Sequence, residues 1–131
     1  MTAAAANRDA KWMPGELITV GVAASTTIYK NTLVGYTADG YLAPKDASGN
    51  VFAGVAAEGA VGGDASGNVV CKVYRKGTFE FVFSGAAITV NGDELYVVDD
   101  QTIAATGDHK VGRACGFPGT GIQRIDIGGY C

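Results

Sequence analysis

Short segments rich in β-branched and aromatic residues alternate with turns rich in Gly, Asn and Asp along most of the chain. The chain contains 14 Val and 7 Ile but only 4 Leu, together with 20 Gly, and this balance favours strands joined by tight turns. No window of a dozen residues keeps an apolar stripe with helical spacing. A chain of 131 residues is long enough to bury one core. We therefore predict an all-β fold.

The first sixteen residues differ from the rest. They begin with an Ala run, continue with alternating charges, and end in KWMPGE, where Trp12 and Met13 precede a Pro-Gly pair that is hostile to helices. Large apolar residues cannot form a core within so short a segment, so they pack either on their own domain or on a neighbour. We predict an extended N-terminal arm over residues 1–16 and a single β domain over residues 17–131.

The middle of the chain carries the clearest strand pattern. VVCKVYR alternates, KG follows, and TFEFVF places Phe79, Phe81 and Phe83 on one face. We predict a half-buried hairpin here, with its aromatic face at the centre of the core. The pair Asn91-Gly92 tolerates positive φ angles, which predicts a second hairpin turn.

The word DASGNV occurs twice, at residues 46–51 and 64–69. In both copies an apolar strand begins at the Val, so DASGN stands where the chain must reverse. Asp and Ser accept hydrogen bonds from nearby amides, and Gly adopts the left-handed conformation. Each copy offers one carboxylate and lacks the alternating acids and distal Glu of calcium loops. We interpret both copies as turns, and we predict no metal and no other cofactor.

A looser repetition recurs about sixty residues apart, which suggests that two similar hairpin units are joined into a pseudo-symmetric small barrel. The matching pairs are Ile28/Ile88, Asn31/Asn91, Leu33/Leu95, Asp39/Asp100, Ala43/Ala104, Gly54/Gly112 and Ala56/Ala114.

Charge and hydropathy narrow the range of partners. A net charge of -3 and a pI near 4.9 argue against nucleic-acid binding, which needs a basic face. The only compact basic spot within the strands, Arg75 and Lys76, is interpreted as a solvated hairpin tip rather than a docking contact. No apolar run reaches the roughly 18 to 20 residues of a membrane span, and the N-terminal Ala run lacks the features of a secretion signal. Only 18% of residues are charged, and such chains often bury their excess apolar surface against partners.

The three cysteines, Cys71, Cys115 and Cys131, show no CxxC spacing and cannot all pair within one chain. This predicts reduced thiols made in a cytoplasm. Cys131 is the last residue and follows a flexible GGY, so it is a candidate for a disulfide to another chain, with a cysteine of the adjoining subunit as its partner.

Catalytic signatures are absent: there is no GxSxG, P-loop, GxGxxG after a strand, or HExxH. His109, the only histidine, would serve Cys115 as a base only if the fold brought them together. Strand alternation places neighbouring acids on opposite faces, so a cluster of four is expected to bracket a strand and its turns rather than to perform acid-base chemistry. These acids are Asp93, Glu94, Asp99 and Asp100. We predict that the protein is not an enzyme.

Several segments together resemble a known family. The succession VAASTTIYKNTLV, ADGYLAP, VFAGVAAEG, VYRKGTFEF, LYVVDDQTIAATG and VGRACGF resembles small tailed-phage and prophage head proteins, similar to the decoration or cement proteins found alongside a major capsid protein. The resemblance spans nearly the whole chain and depends on the order and spacing of its segments. The cysteines and the Ala-rich arm are not part of it.

The resemblance implies a small β-barrel or tulip-like domain without catalysis or cofactor. It implies a virion protein made in the bacterial host cytoplasm and placed on the outer capsid surface, where it stabilises contacts between major capsid protein subunits. Its partners would be the major capsid protein and itself, as a trimer or alternatively a dimer, with no nucleic acid and no membrane. We expect the arm residues Arg8, Lys11, Trp12 and Met13 to bind the capsid.

Alternatives remain open from the sequence. Another virion β module, such as a head fibre base or a tail-associated part, would obey the same fold physics. A small metal- or sugar-binding domain would use the DASGN loops, and a cysteine hydrolase is the weakest candidate.

Overall fold

The computed structural model describes residues 16–47 and 49–127, and their regular structure is almost entirely β, as predicted. The one helical element in these ranges is a three-residue 3-10 turn at Ile88–Val90, so none there has the length and hydropathy to cross a bilayer. The strands are β1 (Leu17–Gly21), β2 (Thr27–Ile28), β3 (Leu33–Tyr36), β4 (Leu42–Pro44), β5 (Val51–Ala56), β6 (Ala60–Val61), β7 (Val70–Tyr74), β8 (Gly77–Val82), β9 (Glu94–Val97), β10 (Ile103–Ala104), β11 (Lys110–Gly119) and β12 (Ile122–Ile127).

The strands form two five-stranded antiparallel sheets that share one topology. The first has the order β1-β7-β5-β3-β4 and the second the order β8-β12-β11-β9-β10, while β2 and β6 form a small separate pair. The two orders are identical when β8, β9, β10, β11 and β12 are matched to β1, β3, β4, β5 and β7. We call residues 17–74 the first repeat and residues 77–127 the second repeat.

Strand register repeats together with strand order. Leu17 of β1 lies opposite Tyr74 of β7, and Thr78 of β8 lies opposite Asp126 of β12; both ladders then run without a shift. The ladders β3–β5 and β9–β11 each contain one register shift, at equivalent positions. The shared strand order and the matching register of these ladders confirm the internal repetition, although β11–β12 contains two shifts that its equivalent β5–β7 lacks.

A glycine directly follows the extra residue of the register shift in each repeat. A Cβ on Gly54 would collide with the carbonyl oxygen of Tyr74, and a Cβ on Gly112 would collide with that of Asp126. The neighbouring strand therefore approaches so closely that only glycine fits. The bulge just before each glycine, at Ala53 and Val111, bends the sheet at the same place in both repeats.

Register also shows which of the predicted residue pairs are equivalent. Asn31 and Leu33 correspond to Gly92 and Glu94, one position away from the residues that the sequence suggested. Ile28 is buried in β2, whereas Ile88 is exposed, so these two are not equivalent. The remaining four pairs are equivalent, namely Asp39/Asp100, Ala43/Ala104, Gly54/Gly112 and Ala56/Ala114.

Each sheet curls until its outer strands meet at a single point. Val22, just after β1, forms one parallel bridge with Leu42 of β4, and Val82 of β8 forms one with Thr102. The expected barrel is therefore not closed in either repeat. β4 and β10 have only three and two residues, which is too short for a full ladder with the first strand of the repeat.

Two apolar clusters fill the repeats. The first repeat encloses Val22, Ile28, Val34, Leu42, Ala56, Cys71 and Val73. The cluster of the second repeat includes Phe81 and Phe83, as the alternating aromatic pattern predicted, and Phe79 packs against it. Leu33 and Val55 of the first repeat also belong to this second cluster, so the two repeats share a buried interface.

The hairpin predicted across residues 70–83 is wrong. β7 pairs with β1 and β5 in the first sheet, whereas β8 pairs with β12 in the second, so Arg75 and Lys76 form a crossover between repeats. The alternating pattern identified both strands and their inward faces correctly. Their partners are set by contacts about fifty residues away, with Leu17 and with Asp126, which a local pattern does not contain.

Asn91-Gly92 is a turn but not a hairpin turn. The N–H of Asp93 donates to the carbonyl of Val90 at 2.9 Å, with Asn91 at φ -53° and Gly92 at φ 95°, which is type II geometry. This turn joins the 3-10 segment to β9. Only Gly92 needs a positive φ angle, which glycine tolerates without steric cost.

Candidate interaction surface

Three exposed apolar side chains lie on the outer face of β1 and β7. Leu17, Val70 and Tyr74 are 45%, 55% and 38% exposed, and we call them the apolar outer face. Strand alternation explains the arrangement, because every second residue of both strands points inward into the first core. The outward positions of β7 therefore carry Val70 and Tyr74, with Lys72 between them.

This face continues into the buried interface between the repeats. Tyr74 pairs with Val55 of β5, and Val55 pairs with Leu33 of β3, so apolar outward positions form a line across the sheet. The second repeat covers Leu33 and Val55, and the ring of Tyr74 lies 5.7 Å from that of Phe79. The uncovered part of the line ends at Leu17 on the edge strand β1.

Cations border the apolar outer face. Lys72, Arg75 and Lys76 are exposed, and within the described ranges none lies in a salt bridge. Sequence reasoning interpreted the last two as a solvated hairpin tip, but they belong to the crossover beside β1, where the N–H of Arg75 donates to the carbonyl of Glu16 at 2.8 Å. Apolar side chains with a basic border suit a protein partner that has an acidic rim.

Most of the equivalent outer face of the second repeat is polar and internally paired, although Val82 of β8 is 45% exposed there. Arg124 lies 3.0 Å from Glu80, and Glu94 lies 3.0 Å from Lys110 and 3.1 Å from Arg113. The hydrogen bond from Lys110, with the charges of Lys110 and Arg113, holds the pKa of Glu94 below its usual value. These charged side chains are therefore paired within the second repeat.

Both DASGN copies are turns, as predicted, but they are held differently. In the first, Oδ1 of Asp46 accepts from the N–H groups of Gly49 and Asn50 at 2.6 and 3.0 Å. In the second, Gly67 has φ 87°, and the hydroxyl of Ser66 accepts from the N–H of Ala24 at 3.0 Å. Residues 16–47 and 49–127 contain no group of acids, Cys or His that could hold a metal.

One lysine at the first turn is buried, which the sequence did not indicate. The side chain of Lys45 is fully buried, and its Nζ donates to the carbonyl of Asp46 at 2.6 Å. Burial lowers the pKa of Lys45, and the Asp46 carboxylate partly offsets this effect. This cation anchors the loop that precedes β5.

The four clustered acids have structural roles rather than a shared site. Oδ1 of Asp99 accepts from the N–H groups of Gln101 and Thr102 at 3.0 and 2.8 Å, which fixes the β9–β10 turn. The carbonyl of Asp100 accepts from the N–H of Leu33 at 2.7 Å and so links the repeats. Burial and the nearby Asp99 charge raise the pKa of Asp100.

His109 and Cys115 are not brought together. His109 immediately precedes β11 and Cys115 lies in its middle, so six residues of extended chain separate them by about 20 Å. Cys115 is exposed and free.

Cys71 is not available for the intermolecular disulfide that the sequence left open. Its side chain is fully buried in the first core, and burial, with the nearby Glu58 charge, raises the pKa of its thiol. Cys131 and the arm residues Arg8, Lys11, Trp12 and Met13 lie outside the described residues.

The sequence does not reveal the apolar outer face, because the alternating pattern identifies its residues only as members of strands. The alternation in VVCKVYR predicts that one side of β7 faces outward, yet nothing in the pattern tells whether that side is covered. Whether an outward side chain of the first repeat is buried depends on the second repeat, which covers Val55 but leaves Leu17 and Val70 exposed to solvent.

Comparisons with known proteins give one informative likeness. No protein-family model and no curated protein sequence matches the chain. Among solved structures, the fold is similar to the head fiber gp8.5 N base of bacteriophage phi29, with a TM-score of 0.53 and 18% sequence identity over 85% of this chain and 93% of that one. At this level of identity the likeness establishes a shared fold over nearly the full length of both chains.

Proposed function

We propose that this chain is a non-catalytic structural protein of a tailed-phage head, attached to the outside of the shell through the apolar outer face and the N-terminal arm. The observation that carries the proposal is the fold likeness to a phage head fibre base over 93% of that structure. It agrees with the resemblance of the sequence to head decoration proteins, which was drawn from different features.

The apolar outer face supplies the contact chemistry. Leu17, Val70 and Tyr74 lose exposed apolar surface on docking, while Lys72 and Arg75 meet an acidic rim. Many copies on one shell would make a weak single contact sufficient, because a tethered or multivalent partner gains effective concentration. In this proposal the protein binds the major capsid protein and other copies of itself.

Rebinding to shells that lack the protein tests the proposal. We expect wild-type protein to cosediment with such shells, and Leu17→Asp combined with Tyr74→Asp to lose most binding because charges replace the apolar contact. Thr78→Asp is the matched control, since Thr78 is the equivalent of Leu17 in the second repeat. Shells that bind the double variant as well as wild type would refute a role for this face.

The arm is tested separately by deleting residues 1–16. We expect the deletion to abolish shell binding while the far-ultraviolet circular dichroism spectrum stays that of a β protein. Binding that survives the deletion would assign the contact to the outer face alone.

A head fibre base is the second candidate, and the same fold likeness favours it. A decoration protein follows the capsid lattice in copy number, whereas a fibre base carries a projecting partner. Cryo-electron microscopy of whole particles distinguishes the two by the density beyond the β domain. Absence of the protein from purified particles would reject both.

A further inference from the structure

A groove opens between the two repeats, away from the apolar outer face. Its volume is about 400 Å³, and it is lined by Val51, Phe52, Asp108, His109 and Lys110. The first two residues come from the start of β5 and the others from the chain entering β11. Val51 is 65% exposed, so one wall of the groove is an open apolar surface.

His109, one of the residues that line the groove, has a ring nitrogen without a partner. The Nδ1 atom of His109 is shielded from water and makes no hydrogen bond, although the carbonyl of the same residue accepts from the N–H of Val97. A buried polar group without a partner costs free energy, and native structures contain few of them. A neutral imidazole protonated at Nε2 has an acceptor at Nδ1, which calls for an N–H donor.

The arm contains a side chain with matching chemistry. Trp12 is the only tryptophan of the chain, and its indole combines a large apolar surface with one N–H donor and no acceptor. The neighbouring Lys11 has the charge opposite to that of Asp108, which is exposed at the groove.

Strand register places the groove within reach of the arm. Leu17, Tyr74 and Val55 lie level across three adjacent strands, so Val51 is three residues beyond the level of Glu16 and two strands away. These spacings correspond to about 14 Å from Glu16 to Val51. The four residues from Glu16 back to Trp12 span up to about 14 Å when extended, before the length of the side chain is added.

We propose that this groove binds Trp12 of the same chain in the free protein, with the indole ring on Val51 and Phe52. A rotation of the His109 ring toward the groove lets Nδ1 accept a hydrogen bond from the indole Nε1–H. The groove thereby holds the arm on its own domain until the arm engages another surface. The contact is independent of what that other surface is.

Tryptophan fluorescence tests the contact directly in the full chain, because Trp12 is the only emitter of its kind. We expect a blue-shifted emission and weak acrylamide quenching in the wild type. Val51→Asp should shift the emission to the red and raise quenching to that of a solvent-exposed indole. Val61→Asp is the matched control, since it places the same charge at a valine that is also 65% exposed but lies outside the groove, and it should leave both readings unchanged.

The hydrogen bond is tested at His109. His109→Leu removes the acceptor and should move the indole N–H proton resonance to the position of a free indole, whereas His109→Gln, which offers an acceptor oxygen, should restore part of the shift. Wild-type emission like that of free indole would overturn the proposal. Protection that falls on dilution would also overturn it and assign the groove to the arm of a second copy.

Discussion

The outer faces of the two repeats share a backbone but differ in chemistry. At equivalent positions the first repeat has Leu33 and Val55, whereas the second has Glu94 and Arg113. The apolar pair is fully buried against the second repeat, and the charged pair forms a 3.1 Å salt bridge in solvent. Strand order and register therefore do not decide whether a sheet face meets protein or water; the side chains on that face decide it.

The difference continues at the end of the face where β1 begins. Leu17 and Tyr74 of the first repeat correspond to Thr78 and Asp126 of the second. At these positions the first repeat favours further burial and the second favours water. At the other end of the face the second repeat is apolar as well, because Ile122 lies opposite Val82, which is 45% exposed. The contrast at Leu17 and Tyr74 is the reason for proposing the first repeat as the docking side.

Exchanging apolar and charged side chains between the equivalent positions should have the largest effect on the free energy of unfolding. We expect Val55→Arg to destabilise the protein by about 4 kcal/mol, because an unpaired charge would replace an apolar side chain in a dry interface. The reverse change at the equivalent position, Arg113→Val, should stay within the scatter of the measurement, since its partner Glu94 is reached by Lys110 as well. Urea denaturation measures the free energy of unfolding of both variants. Equal losses of stability would show that the two faces do not differ in their need for apolar side chains.

The paired glycines test the equivalence of the two backbones. We expect Gly54→Ala and Gly112→Ala to cost about 3 kcal/mol each, because a Cβ would collide with a strand carbonyl. Gly54 also has φ 150°, so its substitution should be the more costly one. Gly119→Ala, where a Cβ meets nothing within 4 Å, is the control. A harmless substitution at only one of the two sites would break the equivalence.

The two cores also differ at one equivalent position, where the second repeat buries a glutamine and the first buries a cysteine. Gln123 occupies the position of Cys71, and its side chain bonds to Asn91, Gly116 and Ala87 at 3.0, 2.7 and 3.1 Å. We expect Gln123→Leu to cost about 2 kcal/mol in thermal or urea unfolding, because the three groups bonded to the buried Gln123 side chain lose their partner. Cys71→Ala should cost about 1 kcal/mol, mainly through lost apolar contact. A larger loss at Cys71 would contradict the assignment of the network.

The smallest expected effect on stability is at Asp100, in the turn between β9 and β10. Burial and the Asp99 charge raise the pKa of Asp100, so the folded state binds its proton more tightly than the unfolded state. The ionised form therefore weakens folding above the folded-state pKa, and this penalty disappears as pH falls below the unfolded-state pKa. Asp100→Asn should accordingly increase stability at neutral pH and make no difference in acid. Thermal unfolding across pH checks this, and a gain that persists in acid would point to another cause.

Local features of the fold were predictable from the sequence. Alternation identified β7 and β8 and the inward direction of Phe81 and Phe83, because side chains of a strand alternate between faces whatever the strand pairs with. The two DASGN turns followed from the hydrogen-bonding capacity of Asp and the conformational freedom of Gly. The repeat was also visible, since equivalent turns and bulges require similar residues.

The partners of each strand and the burial of outward side chains could not be predicted from local sequence. The predicted hairpin at residues 70–83 became a crossover, because adjacency in sequence does not fix which strand supplies the hydrogen bonds. The burial of Lys45 and Gln123 has no local signal, as a polar side chain is buried only when distant groups enclose and pair with it. The sequence by itself determined the strands, the turns and the inward faces, because those depend on residues within a few positions. Tertiary structure alone decided that Leu33 is covered and Leu17 is open, because the second repeat covers part of that face and leaves the rest to solvent.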